Sequence, residues 1–361
     1  MLTSDAGVDL VVVGAGPCGL AAAIAAKRAG LTAVVFDRGP IVSGIATYPT
    51  YMTFFSTAER IAIGGVPFIL ATEKPSKRDA LAYYRGVATL HGLEVRQFET
   101  VEGLTAGTAG TATTTTSDKR CQMSDIGGKH DLGWCVESVT RGGDRHVMQA
   151  RAVVVATGYF GRPNRLGVPG ESRPHVRHGY VDGHDAWNQD VVIVGGANSA
   201  VDAALDMHRA GGRVTMVHFA DALDANVKPW VRPEIEARIR EGSIGAVFGA
   251  RVTAIDADSV ITESAQGVHR IPATQVYTMI GYLPETGLLE QVGVSIDATT
   301  GIPTHDPVTM ATPVPGIYLA GVIASGLQAN RIFIENGRDH GDQIVAHLRR
   351  ARSPLRNSIH R

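Results

Sequence analysis

Cysteine is scarce in this chain: there are three in 361 residues, Cys18, Cys121 and Cys135, far apart in sequence. No CxxC pair occurs, and no Cys/His spacing resembles a zinc site, so no metal is expected. A sparse, odd count fits a reducing compartment, and the expected location is cytoplasmic. An excess of either charge is also missing. The 34 basic and 35 acidic residues give a formal net charge of -1 and are spread evenly. No basic stripe suggests nucleic acid, and no polybasic tail suggests a membrane surface. Apolar runs are short and broken by glycine, well under the roughly 20 residues of a spanning helix. Residues 1–9 hold two acids and no base, which does not read as a signal peptide.

Glycine, by contrast, is abundant, with 42 residues. Many of these glycines stand at the ends of apolar runs, where tight strand-to-helix turns need them. Residues 10–13 form a continuous apolar run, as in a strand buried on both faces. A glycine turn follows, then an alanine-rich helix over about 19–29 ending at Gly30, then a strand over 32–36. The same grammar returns at mid-chain. Residues 191–194 are apolar, 200–210 are helical, Gly211 and Gly212 suit a helix C-terminus, and 213–217 make a strand. Two βαβ openings in one chain predict an α/β fold with two Rossmann-like dinucleotide-binding domains. Between them, 104–131 reads as a loop within a β-meander, and 152–156 reads as a buried strand closed by Thr157 and Gly158. A stretch with Gly161, Pro163, Pro169 and Pro174 suits a domain crossover. Residues 317–320 read as a short strand and 333–349 as one final helix.

Gly14-Ala15-Gly16-Pro17-Cys18-Gly19 is a complete GxGxxG between strand and helix. Gly14 permits the tight turn, Gly16 lets the backbone approach a pyrophosphate, and Gly19 allows close helix packing. The helix N-terminus adds amide donors and a positive dipole end. Asp37 ends the second strand, where an acid can hold ribose hydroxyls. The second loop, Gly195-Gly196-Ala197-Asn198-Ser199-Ala200, carries Ala197 where the fingerprint has its second glycine, so this site is expected to be looser. At the end of its second strand, His218, Phe219 and Ala220 decide little. His218 can contact a phosphate, and Lys228 or Arg232 can swing in from the next loop. Asp221 pulls the other way, and NADPH and NADH stay about equally placed. Two nicotinamides would have little to exchange, whereas a flavin and a nicotinamide form a hydride relay. FAD in the first site and NAD(P)H in the second is the economical assignment.

These motifs resemble the pyridine nucleotide disulfide oxidoreductase superfamily, and within it the bacillithiol-disulfide reductase family, itself similar to low-molecular-weight thioredoxin reductases. The resemblance runs in order from the first glycine loop through Tyr48-Pro49-Thr50, Thr53-Phe54-Phe55-Ser56 and Val66-Pro67-Phe68. It continues through Ala156-Thr157-Gly158-Tyr159, the second glycine loop, Lys228-Pro229-Trp230 and Met279-Ile280-Gly281-Tyr282. It closes with Ala320-Gly321-Val322-Ile323-Ala324 and Ile332-Phe333-Ile334-Glu335-Asn336-Gly337. It implies an FAD domain made of 1–165 and 288–361 with an NAD(P)H domain, 166–287, inserted. It implies NADPH-driven reduction of a low-molecular-weight thiol disulfide, and self-association into a homo-oligomer. Carried over by position, Gly14, Gly16, Pro17, Gly19, Asp37, Arg38, Thr157, Gly158, Gly321 and Ile332 would touch FAD. Gly196, Ala197, Asn198, Ser199, Ala200 and His218 would face the nicotinamide cofactor, with Gly281 at the domain's return. Two places depart from the superfamily pattern: Val322 replaces the usual acid of the last motif, and Phe219 and Ala220 stand where thioredoxin reductases carry arginines. The stretch around Thr113 looks like an insertion.

Without a dithiol, Cys18 is the candidate catalytic residue, either as a nucleophile or as a small residue packed beneath the FAD phosphates. Cys135 reads as core, and Cys121 lies in the loop. His178 and His184 are candidate proton donors or surface histidines. Glu335 either acts near the flavin or favours a helix N-terminus, and Tyr48, Phe54 and Phe55 line a pocket or fill core. Two other functions fit the same cofactors. A flavin monooxygenase would carry FxGxxxHxxx[YFW], but after Gly170 the histidine, His175, comes one residue late and Gly179 stands in the aromatic place. A non-enzymatic redox or nucleotide sensor would need a partner-binding region, and none is visible.

Overall fold

The computed structural model describes residues 3–107 and 133–352. The chain divides into two compact units, one of Met1–Ala46, Thr53–Gly161 and Leu283–Arg361, the other of Thr47–Met52 and Arg162–Tyr282.

The first unit opens with β1 (Thr3–Val13), α1 (Pro17–Arg28) and β2 (Ala33–Asp37). Leu10 to Val13 are all buried, as required of a strand covered on both faces. Helix α1 starts at Pro17, two residues before the expected start. Proline at the first helical position loses no hydrogen bond that the helix would otherwise make. Lys27 and Arg28 complement the dipole in its last turn, and Gly30, at φ 76°, ends it. Helix α2 (Lys77–Leu90) is fixed by a capping box: Ser76 Oγ accepts from the Asp79 amide, and the Asp79 carboxylate accepts from the Ser76 amide. Strands β3 (Glu94–Gln97), β4 (Glu99–Ala106), β5 (Trp134–Thr140) and β6 (Arg145–Val155) follow. Strands β3, β2, β1 and β6 are neighbours in parallel, and β5 and β4 continue from β6 as an antiparallel meander. The expected loop thus starts later than residue 104, because residues 104–106 pair with β5. Residues 108–131 of that loop, Cys121 among them, lie outside the described residues.

In the second unit, β7 (Val176–Arg177), β8 (Asp190–Val194), α3 (Asn198–Arg209) and β9 (Arg213–Val217) are followed by α4 (Arg232–Arg240) and β10 (Gly245–Val247). Next come β11 (Arg251–Ile255), β12 (Ser259–Ser264), β13 (Gly267–Pro272) and β14 (Gln275–Thr278). A parallel sheet runs β10-β9-β8-β14-β7, and β11-β12-β13 form a separate antiparallel sheet. Strand β8 is buried on both sides. Val191 and Ile193 pack with α3, while Val192 and Val194 join Val252 and Val260 of the antiparallel sheet. Each such side chain contributes about 1.5–3 kcal/mol by burial. The segment Thr47–Met52 falls with this unit, although the expected boundary at residue 165 leaves it with the first. The Thr50 amide donates to Val181 O at 2.8 Å, and the Tyr51 hydroxyl donates to Asp202 O at 3.3 Å.

The first unit is completed by β15 (Ile317–Leu319), parallel to β6, then α5 (Ile334–Gly337) and α6 (His340–Arg352). The expected single final helix is therefore broken at Arg338 and Asp339. Arg338 holds the break by donating through Nη1 to the carbonyls of Glu59 and Ala62, at 2.9 and 2.8 Å.

Candidate functional site

The two glycine loops repeat one construction. Gly14 N donates to Phe36 O at 2.7 Å, and Gly195 N donates to Val217 O at 2.9 Å. Ala156 N donates to Val13 O and Met279 N donates to Val194 O, each at 2.8 Å. A Cβ on Gly14, at φ 114°, would lie 2.2 Å from Ala156 O; one on Gly195, at φ 138°, would lie 2.4 Å from Met279 O. Each loop is thereby pressed onto the strand beyond it. Gly19 and Ala200 sit where helix meets turn, and there the first loop is the tighter, since a Cβ on Gly19 would lie 2.0 Å from Gly14 O.

Gly16 behaves differently. Its φ of -71° and ψ of 171° suit any residue, and a Cβ there would meet nothing within 4 Å. Neither backbone conformation nor internal packing requires glycine at this N-cap. The open space in front of the α1 N-terminus has room for a dinucleotide pyrophosphate, which a side chain there would obstruct. The counterpart, Ala197, has similar extended angles and an exposed methyl. Gly196 is packed from within, since a Cβ would stand 2.6 Å from the His218 ring.

Asp37 is 8% exposed. Its Oδ2 accepts from the Ala15 amide at 2.8 Å; its Oδ1 accepts from the Gly39 amide at 2.8 Å and the Ser43 hydroxyl at 3.0 Å. Three of the roughly four acceptor positions of a carboxylate are thus used, leaving one on Oδ2 for a hydroxyl. Burial raises its pKa above the ordinary carboxylate value, and the two amides pull it back. Arg38 is paired with Glu285 at 2.8 Å, and the Thr157 hydroxyl donates to Glu285 O at 3.3 Å. Gly158 has φ 79° and open space above it.

Cys18 is a free cysteine on the first turn of α1. Gly321 and Gly337 make room for it: Cβ atoms on them would lie 3.1 and 2.9 Å from its Sγ. Ile332 closes on Gly337 from another side. Burial, and then the negative charge of Asp339, push the thiol up to about 12, opposite to the activation expected from the helix N-terminus alone. Cys135 is buried in β5 and is not a free thiol.

His340 was not apparent as a site residue from sequence. It is 8% exposed, and its Nδ1 accepts from the Gly321 amide at 3.1 Å. Burial lowers its pKa, keeping that lone pair free. His178 is partly buried: its Nδ1 is 2.5 Å from the Thr278 hydroxyl, and Arg165 meets its Nε2. Burial, reinforced by Arg165, lowers its pKa, with Glu171 opposing. His184 is exposed. Phe54 is buried and Phe55 exposed, and Glu335 lies 3.8 Å from Arg60.

In the second loop, Asn198 holds the segment that follows β9, accepting from the Lys228 amide at 2.9 Å and donating to Asn226 O at 3.0 Å. Ser199 is exposed, and Gly281 has φ 86°. The two cations expected to swing in are both engaged. Lys228 Nζ is 2.6 Å from Asp202, and Arg232 is 3.0 Å from Glu236. A cavity of about 500 Å³ lies elsewhere in the first unit, lined by Ala21, Ile24, Arg28, Phe68 and Arg338; no glycine-loop residue borders it.

Comparison with known proteins places this geometry. The model of the pyridine nucleotide-disulphide oxidoreductase family matches residues 11–125 and 137–321. Bacilliredoxin reductase Bdr of Bacillus subtilis is 39% identical over 94% of this chain and 96% of its own. Among solved structures, bacillithiol disulfide reductase Bdr from Bacillus cereus covers 97% of this chain and 100% of its own at 38% identity, with a TM-score of 0.86. The Staphylococcus aureus protein of that name gives 34% identity and a TM-score of 0.84, again over 97% and 100%. Among the described residues, no helix is long and apolar enough to cross a membrane. With two glycine loops of one design and these matches over most of its length, the chain belongs to the pyridine nucleotide-disulphide oxidoreductase family.

Proposed function

We propose that this protein uses FAD and NADPH to reduce the disulfide of a low-molecular-weight thiol, bacillithiol disulfide being the leading substrate. The observation that carries the reading is Gly16, an N-cap glycine that neither its backbone angles nor internal packing requires, in a chain with a second, similar loop. The likeness to the Bacillus proteins supports the substrate class. The net reaction consumes one NADPH, one proton and one disulfide, and yields NADP⁺ and two thiols.

When bound, FAD supplies the two-electron chemistry linking nicotinamide to acceptor. The chain's part is to bind and orient. The amides at the start of α1 hold the pyrophosphate, and the remaining acceptor position on Asp37 holds a ribose hydroxyl. His340 fixes Gly321 against Cys18 by taking its amide proton in a hydrogen bond. The second loop takes the nicotinamide cofactor less tightly, because Ala197 carries a methyl where the first loop has none. Cys18 is the free thiol of the site, held protonated at rest. A cytoplasmic homo-oligomer completes the proposal, with mass by light scattering as its check.

Steady-state turnover tests the reading. NADPH consumption should depend on added bacillithiol disulfide and release two thiols per NADPH, with NADH a poorer donor. Turnover independent of the disulfide would remove the substrate assignment. If Cys18→Ser retains flavin but loses this turnover, Cys18 belongs to the substrate step; unchanged turnover confines it to packing.

A further inference from the structure

The tip of β9 is where a Rossmann fold distinguishes a bare adenosine ribose from one carrying a 2′-phosphate. No acid stands at 218, 219 or 220 to hold a pair of ribose hydroxyls. His218 is 9% exposed, and its Nδ1 has no hydrogen-bond partner. Lys228 and Arg232 are committed to carboxylates, as described above.

A different cation occupies this position. The backbone beyond β10 is zipped against the tip of β9: His218 N donates to Val247 O at 2.9 Å, Gly249 N to Ala220 O at 2.9 Å, and Ala250 N to His218 O at 3.1 Å. This register delivers Arg251 to the strand tip, with its guanidinium 5.3 Å from the centroid of the Phe219 ring. Phe219 is itself 62% exposed. Among the described residues no carboxylate pairs with Arg251. The nearby acid, Asp221, lies against Gly249.

We infer that Arg251, seated on Phe219, binds the adenosine 2′-phosphate and makes the second unit selective for NADPH. Its planar fork suits phosphate oxygens, and stacking on an aromatic ring holds that fork ready. The inference rests on the second unit being the nicotinamide-cofactor site. It moves the 2′-phosphate cation from the residues just after β9 to the start of β11.

Calorimetric titration of the holoprotein with adenosine 2′,5′-bisphosphate and with 5′-AMP tests it without reference to turnover. The natural chain should bind the bisphosphate at least about tenfold more tightly, a preference that weakens with salt. Arg251→Gln should bring the two affinities within about threefold by weakening the bisphosphate alone, and Arg251→Lys should recover part of the difference. An unchanged preference in Arg251→Gln overturns the assignment of Arg251 while leaving the nucleotide site in place. Failure of the natural chain to bind either probe overturns the nucleotide reading of the second unit, and this inference with it.

Discussion

The carbonyl oxygen of Gly14 lies 2.0 Å from the point where a Cβ on Gly19 would stand, so α1 rests directly on the turn that precedes it. Gly19→Ala must push the helix off that turn, an overpacking that typically costs about 1–3 kcal/mol. Gly16→Ala meets no neighbour and has a compatible φ, so the fold should keep its stability or gain about 0.4–1 kcal/mol. Flavin content should nonetheless collapse in Gly16→Ala. Thermal unfolding of the apoprotein together with the flavin-to-protein ratio checks both. Full flavin retention in Gly16→Ala would show that the first loop does not hold a pyrophosphate.

Ala197→Gly makes the converse change in the second loop. Removal of the exposed methyl should tighten nicotinamide-cofactor binding several-fold and leave flavin content alone. Gly196→Ala should weaken it, because the added methyl must displace the His218 ring. Fluorescence titration measures both; equal affinity in all three proteins would contradict the correspondence between the loops.

Cys18 should react slowly with iodoacetamide at pH 8, since its thiol is pushed up to about 12. Asp339→Asn removes the charge that adds to this rise and should speed alkylation several-fold, although burial, the larger cause, remains. Rapid labelling of the natural chain would contradict the packing of Cys18 against Gly321 and Gly337. Mass spectrometry of timed samples reads the rate.

Stability should fall as the solution is acidified below about pH 6.5. His178, His218 and His340 all have pKa values lowered by burial from the ordinary 6.5. The unfolded chain therefore binds protons there that the folded chain refuses. Their stabilising contribution is complete above pH 6.5 and is lost as pH drops toward the folded values. Asp37, raised from 3.8, acts in the opposite sense, but at lower pH. The midpoint of thermal unfolding should decline between pH 7.5 and 5.5, and His340→Gln should flatten part of that decline. A midpoint constant across this range would contradict the buried neutral histidines.

Much of this architecture was legible because it is locally encoded. Strand β9 coincides with the expected 213–217, where a short β-branched run follows two glycines. Helix α3 begins at Asn198 rather than at 200, because its first turn is built from loop residues whose side chains, Asn198 above all, bind the next segment. Other features depend on pairing between distant segments and leave no local signal. Nothing in residues 333–349 announces that Arg338 will reach Glu59 and Ala62 and break the helix. His340 beneath Gly321 and Arg251 beside Phe219 are likewise consequences of packing and sheet register. Thr47–Met52 reads as a continuation of the first unit until Thr50 is seen bonded to Val181. The motif was readable residue by residue: the tight turn expected at Gly14 and the close helix packing expected at Gly19 are both present. Internal packing requires glycine at 14 and 19, whereas nothing inside the fold requires it at 16.

The most direct measurement is anaerobic mixing of the purified yellow protein with NADPH and then with bacillithiol disulfide, following flavin absorbance near 450 nm, on the order expected for a flavin cofactor. Bleaching by NADPH and full recovery on adding the disulfide is the predicted result. Bleaching that persists until air is admitted would contradict disulfide reduction and identify a flavoprotein with a different acceptor.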